Sequence, residues 1–307
     1  MKSYRKFRCN YRSNGNPPRS DRTHRSKIYN GRLSQSRALF LLPSLTGVSV
    51  FVLFPFGDVA KRSFQTAMTK KFCGIANYTT IFHNQAFLLA VTNTARFVVV
   101  GIPLLLVLSL LLALMIDGSP FVQGWKSVYL FPMAIPTATM VLIWKLLFSG
   151  NGLLNGLLRK RGVPPTDWLG SDASFVVLVF SYLWKNMGYT IVLWMTGLRS
   201  VSVERKEAAK VDGASRLQCF LYVVLPELTP MVFTITVLSF LNSFKVFREA
   251  YLVAGAYPQQ KMYLLQHLFN NWFTNLEMDK IAAAGVCIAA VFLIGVFALQ
   301  RLWDRQE

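Results

Sequence analysis

Four stretches of this chain, 38–57, 97–116, 127–144 and 281–300, contain no Asp, Glu, Lys, Arg or His. Each is close to the roughly 20 apolar residues that a helix rising 1.5 Å per residue needs to cross the hydrocarbon of a bilayer. In lipid the backbone must satisfy its own hydrogen bonds, so such a run folds as a helix. Two further stretches, 173–198 and 228–251, are long enough, but the first carries Lys185 and the second Lys245, Arg248 and Glu249. They read as spans with something polar inside. With 53% hydrophobic and 15% charged residues the chain is too apolar for an ordinary soluble domain. The expectation is an all-α polytopic membrane protein with six transmembrane helices.

Six crossings return both termini to one side, and charge indicates which. Lys2, Arg5, Lys6, Arg8, Arg12, Arg19, Arg22, Arg25, Lys27, Arg32 and Arg37 precede the first span, with Asp21 the only acid among them. Basic residues flanking a span stay on the cytoplasmic side. Both termini are therefore expected in the cytoplasm, together with an insert at 200–227 that bears Arg205, Lys206, Lys210 and Arg216. The organisation that follows is a basic, disordered tail at 1–37, a six-helix domain at 38–303 enclosing the insert, and a short cytoplasmic end at 304–307. The net charge of +19 raises the question of nucleic acid. A basic segment just inside a first span sets topology and meets anionic headgroups instead, so no nucleic-acid partner is expected.

The insert is organised rather than merely polar. Ser202 is placed to cap a helix whose first turns carry Glu204 and Glu207 near the positive N-terminal end. Asp212-Gly213 supplies a break before a second helix, and Ala208, Ala209, Gly213 and Ala214 would let another protein approach the backbone closely. Left to itself, the same segment also fits an amphipathic loop with Leu217, Phe220, Leu221 and Val224 in the headgroups. Elsewhere the chain offers no catalytic constellation. Cys9, Cys73, Cys219 and Cys287 and the three histidines are scattered without ligand spacing, and no nucleophile elbow, metalloprotease helix or phosphate loop occurs. Neither an enzyme nor a bound metal or cofactor is expected.

Glu207-Ala208-Ala209, Asp212-Gly213-Ala214 and Leu225-Pro226 together resemble the EAA loop of the permease subunits of ATP-binding-cassette (ABC) importers. Several flanking segments are similar to the sugar-importing branch, in particular to its first-permease type related to the maltose and glycerol-phosphate systems. They are Ala76-Asn77-Tyr78, Asn93-Thr94, Phe131-Pro132, Ile135-Pro136, Gly152-Leu153-Leu154-Asn155, Trp168-Leu169-Gly170 and Ser243-Phe244-Lys245-Val246-Phe247. The resemblance implies that Glu207, Ala208, Ala209, Asp212, Gly213, Ala214, Leu225 and Pro226 couple the chain to a cytoplasmic ABC ATPase, present in two copies. It also implies a second permease subunit, an extracytoplasmic solute-binding protein, a sugar substrate and a prokaryotic inner or plasma membrane. ATP is then bound by the ATPase subunits and not by this chain. The loop departs from the family pattern at Val201-Ser202-Val203, where a proline just inside the helix start is usual, and at Arg205-Lys206, where apolar residues are usual, and the latter two are expected to meet acidic residues of the ATPase.

A substrate path is expected in the fourth and fifth spans, because polar groups at membrane depth face a cavity or a partner. Trp184, Lys185, Asn186 and Tyr189, with Thr236, Asn242 and Ser243, combine aromatic faces with hydroxyl and amide groups, a mixture suited to carbohydrate. The competing reading places Trp184 and Tyr189 in an interfacial belt, lets Lys185 snorkel, and turns Asn242 toward a neighbouring permease. Lys245, Arg248 and Glu249 read as the outer end of the fifth span. Two rival functions remain: an ion-coupled secondary transporter, for which Glu249 is the sole acidic candidate, and a membrane scaffold without a solute. An importer of a phosphorylated or acidic solute such as glycerol phosphate is a variant of the main reading.

Overall fold

The computed structural model describes residues 41–117 and 122–304. The basic tail expected at 1–37, the first three residues of the first predicted span and residues 305–307 lie outside them. Six helical stretches among the described residues, two of them interrupted, are long and apolar enough to cross a membrane: Leu41–Arg62, Gln85–Ile116, Thr137–Lys160, Ser174–Ser200, Thr229–Ala254 and Met278–Ala298. Those of the second unit, residues 59–304, leave apolar side chains such as Val107, Leu142 and Ile294 uncovered, as expected where lipid is the solvent.

Residues up to Asp58 form a unit of their own. Its helix widens into a π turn at Ser49–Leu53, where the Phe54 amide reaches back to the Ser49 carbonyl. Pro55 explains the widening, since its ring presses on the carbonyl four residues back and offers no N–H. The same arrangement recurs at Phe220–Val224, where the Leu225 amide bonds the Phe220 carbonyl just ahead of Pro226.

Two of the expected spans are not single helices. The apolar stretch 127–144 is divided into Val122–Ala134 and Thr137–Phe148, because Pro136 disfavours the helical conformation in the residue before it. A turn then leads to the short helix Leu153–Lys160. The fifth span breaks at Phe244-Lys245 into Thr229–Ser243 and Val246–Ala254 without a proline. Here the Lys245 amide bonds Asn242 O at 3.0 Å and the Arg248 amide bonds Lys245 O at 3.1 Å, so the ladder tightens for a turn before resuming.

The fourth span is the axis of the second unit. Half of its most apolar window is buried, against 33% in the second span and 17% in the sixth. Leu178, Val179, Tyr182 and Leu183 pack with Phe97 and Leu105 of the second span and Val246 and Ala250 of the fifth. Lower on the same helix, Ile191, Trp194, Met195 and Leu198 join Ala113, Ile116, Val224, Leu228 and Ile235. Val122–Ala134 lies so close that a Cβ on Gly188 would sit 1.9 Å from the Tyr129 carbonyl oxygen. Small residues permit such backbone contact between membrane helices. Gly188→Ala is therefore expected to cost about 1–3 kcal/mol through overpacking, seen as a lower melting midpoint of the purified protein. Unchanged melting would show that the two helices separate freely.

Opposite the insert, the loops are stitched to the helices by side chains that satisfy backbone groups. Asn93 donates to Gln260 O at 2.6 Å and Tyr263 O at 3.0 Å, and Thr94 Oγ1 accepts the Leu265 amide at 3.0 Å. Lys261 pairs with Asp172, whose hydrogen bond from that ammonium holds its carboxyl below the usual range. His267 is fully buried in the helix Leu265–Thr274, and desolvation pushes its pKa down to about 4, so it stays neutral.

Candidate functional site

Two features of the second unit stand out as candidates: a cavity at mid-depth and a helical insert at one end. Lys185 lies near the middle of Ser174–Ser200, about 17 Å by helical rise from its first residue. Around it is a cavity of about 180 Å³ lined by Met133 and Thr137 of the third span, Ser181, Tyr182, Lys185, Asn186 and Tyr189 of the fourth, and Asn242, Lys245, Val246, Arg248 and Glu249 of the fifth. The breaks at Pro136 and at Phe244-Lys245 both fall on its wall, since a polar recess needs helices that part locally.

The central contact is an ion pair between Lys185 and Glu249, which sit on different helices. Lys185 also donates to Thr137 Oγ1 at 3.3 Å, so one ammonium joins the third, fourth and fifth spans. The Glu249 side chain is only 5% exposed and the Lys185 side chain 26%. Burial of this kind is tolerated only while the pair is intact. Asn242 donates to the Tyr189 hydroxyl at 2.9 Å, and the Tyr182 hydroxyl donates to Ser239 O at 2.8 Å. The fourth and fifth spans are thus bridged three times along the cavity.

The structure brings four of the seven expected path residues, Lys185, Asn186, Tyr189 and Asn242, to one cavity. The other three stand elsewhere. Trp184 turns into an aromatic cluster, its ring centroid 5.3 Å from that of Trp144. Thr236 donates to Val232 O at 2.7 Å and Ser243 to Phe240 O at 2.6 Å, each within its own helix. Lys185 is paired rather than snorkelling, and Asn242 finds its partner within the chain. Lys245, Arg248 and Glu249 are not merely the outer end of a span. They recur at intervals of three and four residues, which places them on one helical face, and that spacing was the signal for a cavity wall.

The insert is built by local chemistry. Ser202 caps Val203–Val211, its side chain accepting the Arg205 amide. The helix ends with the Gly213 amide on Lys210 O at 3.0 Å and the Ala214 amide on Ala209 O at 2.9 Å, with Gly213 at φ +83°. This is a Schellman termination, whose left-handed position favours glycine. Ser215 and Gln218 then form a capping box for Arg216–Cys219. Glu207, Ala208, Asp212, Gly213 and Pro226 are exposed, while Ala209, Ala214 and Leu225 are half-buried. Cys219 and Val224 are buried and anchor the segment after the corner in the bundle, while Leu217 and Leu221 remain exposed. Arg205 pairs with Glu227 at 2.6 Å and Lys206 donates to Leu198 O at 3.2 Å. Both basic side chains thus have a partner inside the chain, and the Arg205 side chain is still 67% exposed.

A multi-span protein with a polar recess at mid-depth and a rigid helical projection at one end is built as a membrane permease. Residues 97–306 match the binding-protein-dependent transport system inner membrane component family, and the chain belongs to that family. It is a permease subunit of an ABC transport system. The probable ABC transporter permease protein YurN of Bacillus subtilis is 29% identical over 280 residues, covering 86% of this chain and 93% of its own. The trehalose/maltose transport system permease protein MalF of Thermococcus litoralis is 30% identical over 227 residues, covering 72% and 77%. The fold is shared with a bacterial ABC transporter involved in the import of the acidic polysaccharide alginate, with a TM-score of 0.77 and 20% identity over 91% of this chain and 99% of that one.

Proposed function

We propose that this chain forms half of the translocation path of a carbohydrate importer and is moved by ATPase subunits that it does not contain. The observation that carries the reading is the conjunction of the polar mid-bundle cavity with the exposed Schellman corner, connected through the fourth and fifth spans. Val203–Val211 follows directly on Ser174–Ser200, and the segment after the corner runs into Thr229–Ser243. A force applied at Glu207, Ala208 and Ala209 reaches both walls of the cavity through short connections, residues 201–202 on the fourth-span side and the re-entrant segment 214–228 on the fifth-span side. Asp212, Gly213 and Ala214 set the corner, and Leu225-Pro226 the re-entry. The family description, and the sugars named for MalF, support a saccharide delivered by a binding protein. The alginate transporter has also been solved in complex with a pentasaccharide-bound periplasmic protein.

In this reading the insert and both termini face the cytoplasm, consistent with Arg199, Arg205, Lys206, Lys210 and Arg216 at that end. A second permease subunit supplies the other half of the path, two ABC ATPases bind ATP, and a solute-binding protein docks at the opposite end. The chain itself catalyses nothing and holds no cofactor. Solute and nucleotide act through their different affinities for the inward- and outward-facing states. The rival of an ion-coupled transporter loses its acidic candidate, because Glu249 is committed to Lys185.

Reconstitution in liposomes tests the reading. Saccharide uptake is expected only when the second permease, the ATPase, the binding protein and ATP are all present. Uptake by this chain alone, driven by a proton or sodium gradient, would refute it.

A further inference from the structure

The cavity wall carries three cations, Lys185, Lys245 and Arg248, and one carboxylate, Glu249. Glu249 stands four residues after Lys245, the spacing at which a helix pairs opposite charges on its own surface. It pairs instead with Lys185 on the neighbouring helix. The side chains of Lys245 and Arg248 have no carboxylate partner and no hydrogen bond among the described residues. Two positive charges beyond neutrality therefore border the recess, both on exposed residues, and a charged side chain in a membrane-spanning segment is kept where it faces a cavity or a partner. A neutral saccharide would be served by Asn186, Tyr189, Asn242 and the tyrosine rings alone, and gives no reason to keep them.

We propose that the solute passing this cavity is an anionic saccharide, its carboxylate or phosphate held by Arg248 and Lys245 beside the hydroxyl-binding groups of Asn186, Tyr189 and Asn242. The guanidinium fork of Arg248 suits the two oxygens of either anion, and Lys245 adds a point charge one turn away. The cavity volume of about 180 Å³ lies below the 300–1,000 Å³ of complete small-molecule sites. This chain then grips the charged ring, and the remainder of the ligand extends toward the other permease. The inference rests on the importer reading above and narrows its substrate.

The complete importer in phosphatidylcholine liposomes, which contain no anionic lipid, is offered trigalacturonate, maltotriose phosphorylated at one 6-position, and maltotriose. At least one anionic probe is expected to show a half-saturation concentration tenfold or more below that of maltotriose, and whichever probe wins distinguishes carboxylate from phosphate. Lys245→Gln with Arg248→Gln should abolish the preference, while Lys245→Arg with Arg248→Lys should retain it. The proposal is overturned if maltotriose enters as well as either anion, if none of the three enters, or if the preference survives the double glutamine variant. Loss of the second permease subunit from that variant would also overturn it, by assigning the two cations to a carboxylate of the partner. Uptake that needs neither ATP nor the ATPase would instead sink the importer reading, so the two failures are distinguishable.

Discussion

Replacing Lys185 with methionine lowers the midpoint of thermal unfolding of the purified protein by about 10 °C. The variant leaves the buried Glu249 carboxylate without its counter-ion and removes the hydrogen bond to Thr137. Breaking a buried pair by deleting one partner costs about 3–5 kcal/mol, and a domain of this size shifts by about 2–4 °C per kcal/mol. Removing both charges together, as Lys185→Met with Glu249→Leu, is expected to recover most of the stability, because replacing a buried pair with apolar groups is often neutral. A single variant that melts with the wild type, or a double variant worse than the single, would show that the pair does not hold the third, fourth and fifth spans together.

The second large effect concerns the insert. Ala208 is exposed on Val203–Val211, so Ala208→Arg should alter the stability of this chain by no more than about 0.5 kcal/mol. If the small face enters a cleft of the ATPase, the new side chain fills the space that the partner needs. The loss at a central contact of this kind exceeds about 2 kcal/mol, which lowers ATPase affinity by 30-fold or more and reduces ATP-driven uptake in proportion. Melting of the isolated permease separates this from misfolding. By contrast, Gly213→Val strikes the corner itself, since a β-branched residue at φ +83° is strained wherever it sits. Normal assembly and uptake by Ala208→Arg would exclude this face as the coupling surface.

Much of the fold was legible because membrane helices announce themselves by length and composition. The runs at 97–116 and 281–300 both lie within helices of the structure. The insert was legible for a different reason: caps and corners are chemistry between residues three to five apart, as Ser202 with Arg205 or Lys210 with Gly213 show. The substrate region was read only in part. Lys185 and Asn186 line the cavity, whereas their neighbour Trp184, about 100° around the helix, faces the Trp144 cluster. A span apolar on nearly every side gives no amphipathic stripe by which to fix its rotation. The division of the third span had a local cause in Pro136, but the break at Phe244-Lys245 has none in the sequence around it.

The sequence by itself determined how many times this chain can cross a bilayer, where its soluble projection begins and how that projection turns, because hydropathy and capping act over one span or one turn. Only the tertiary structure decided that Glu249 neutralises Lys185 rather than Lys245, and hence which cations remain facing the cavity. That choice depends on which faces of two helices meet across 64 residues of chain. It is set by the packing of Leu178, Val179, Tyr182 and Leu183 against Val246 and Ala250 and by the fifth-span break, and no property of either segment alone contains it.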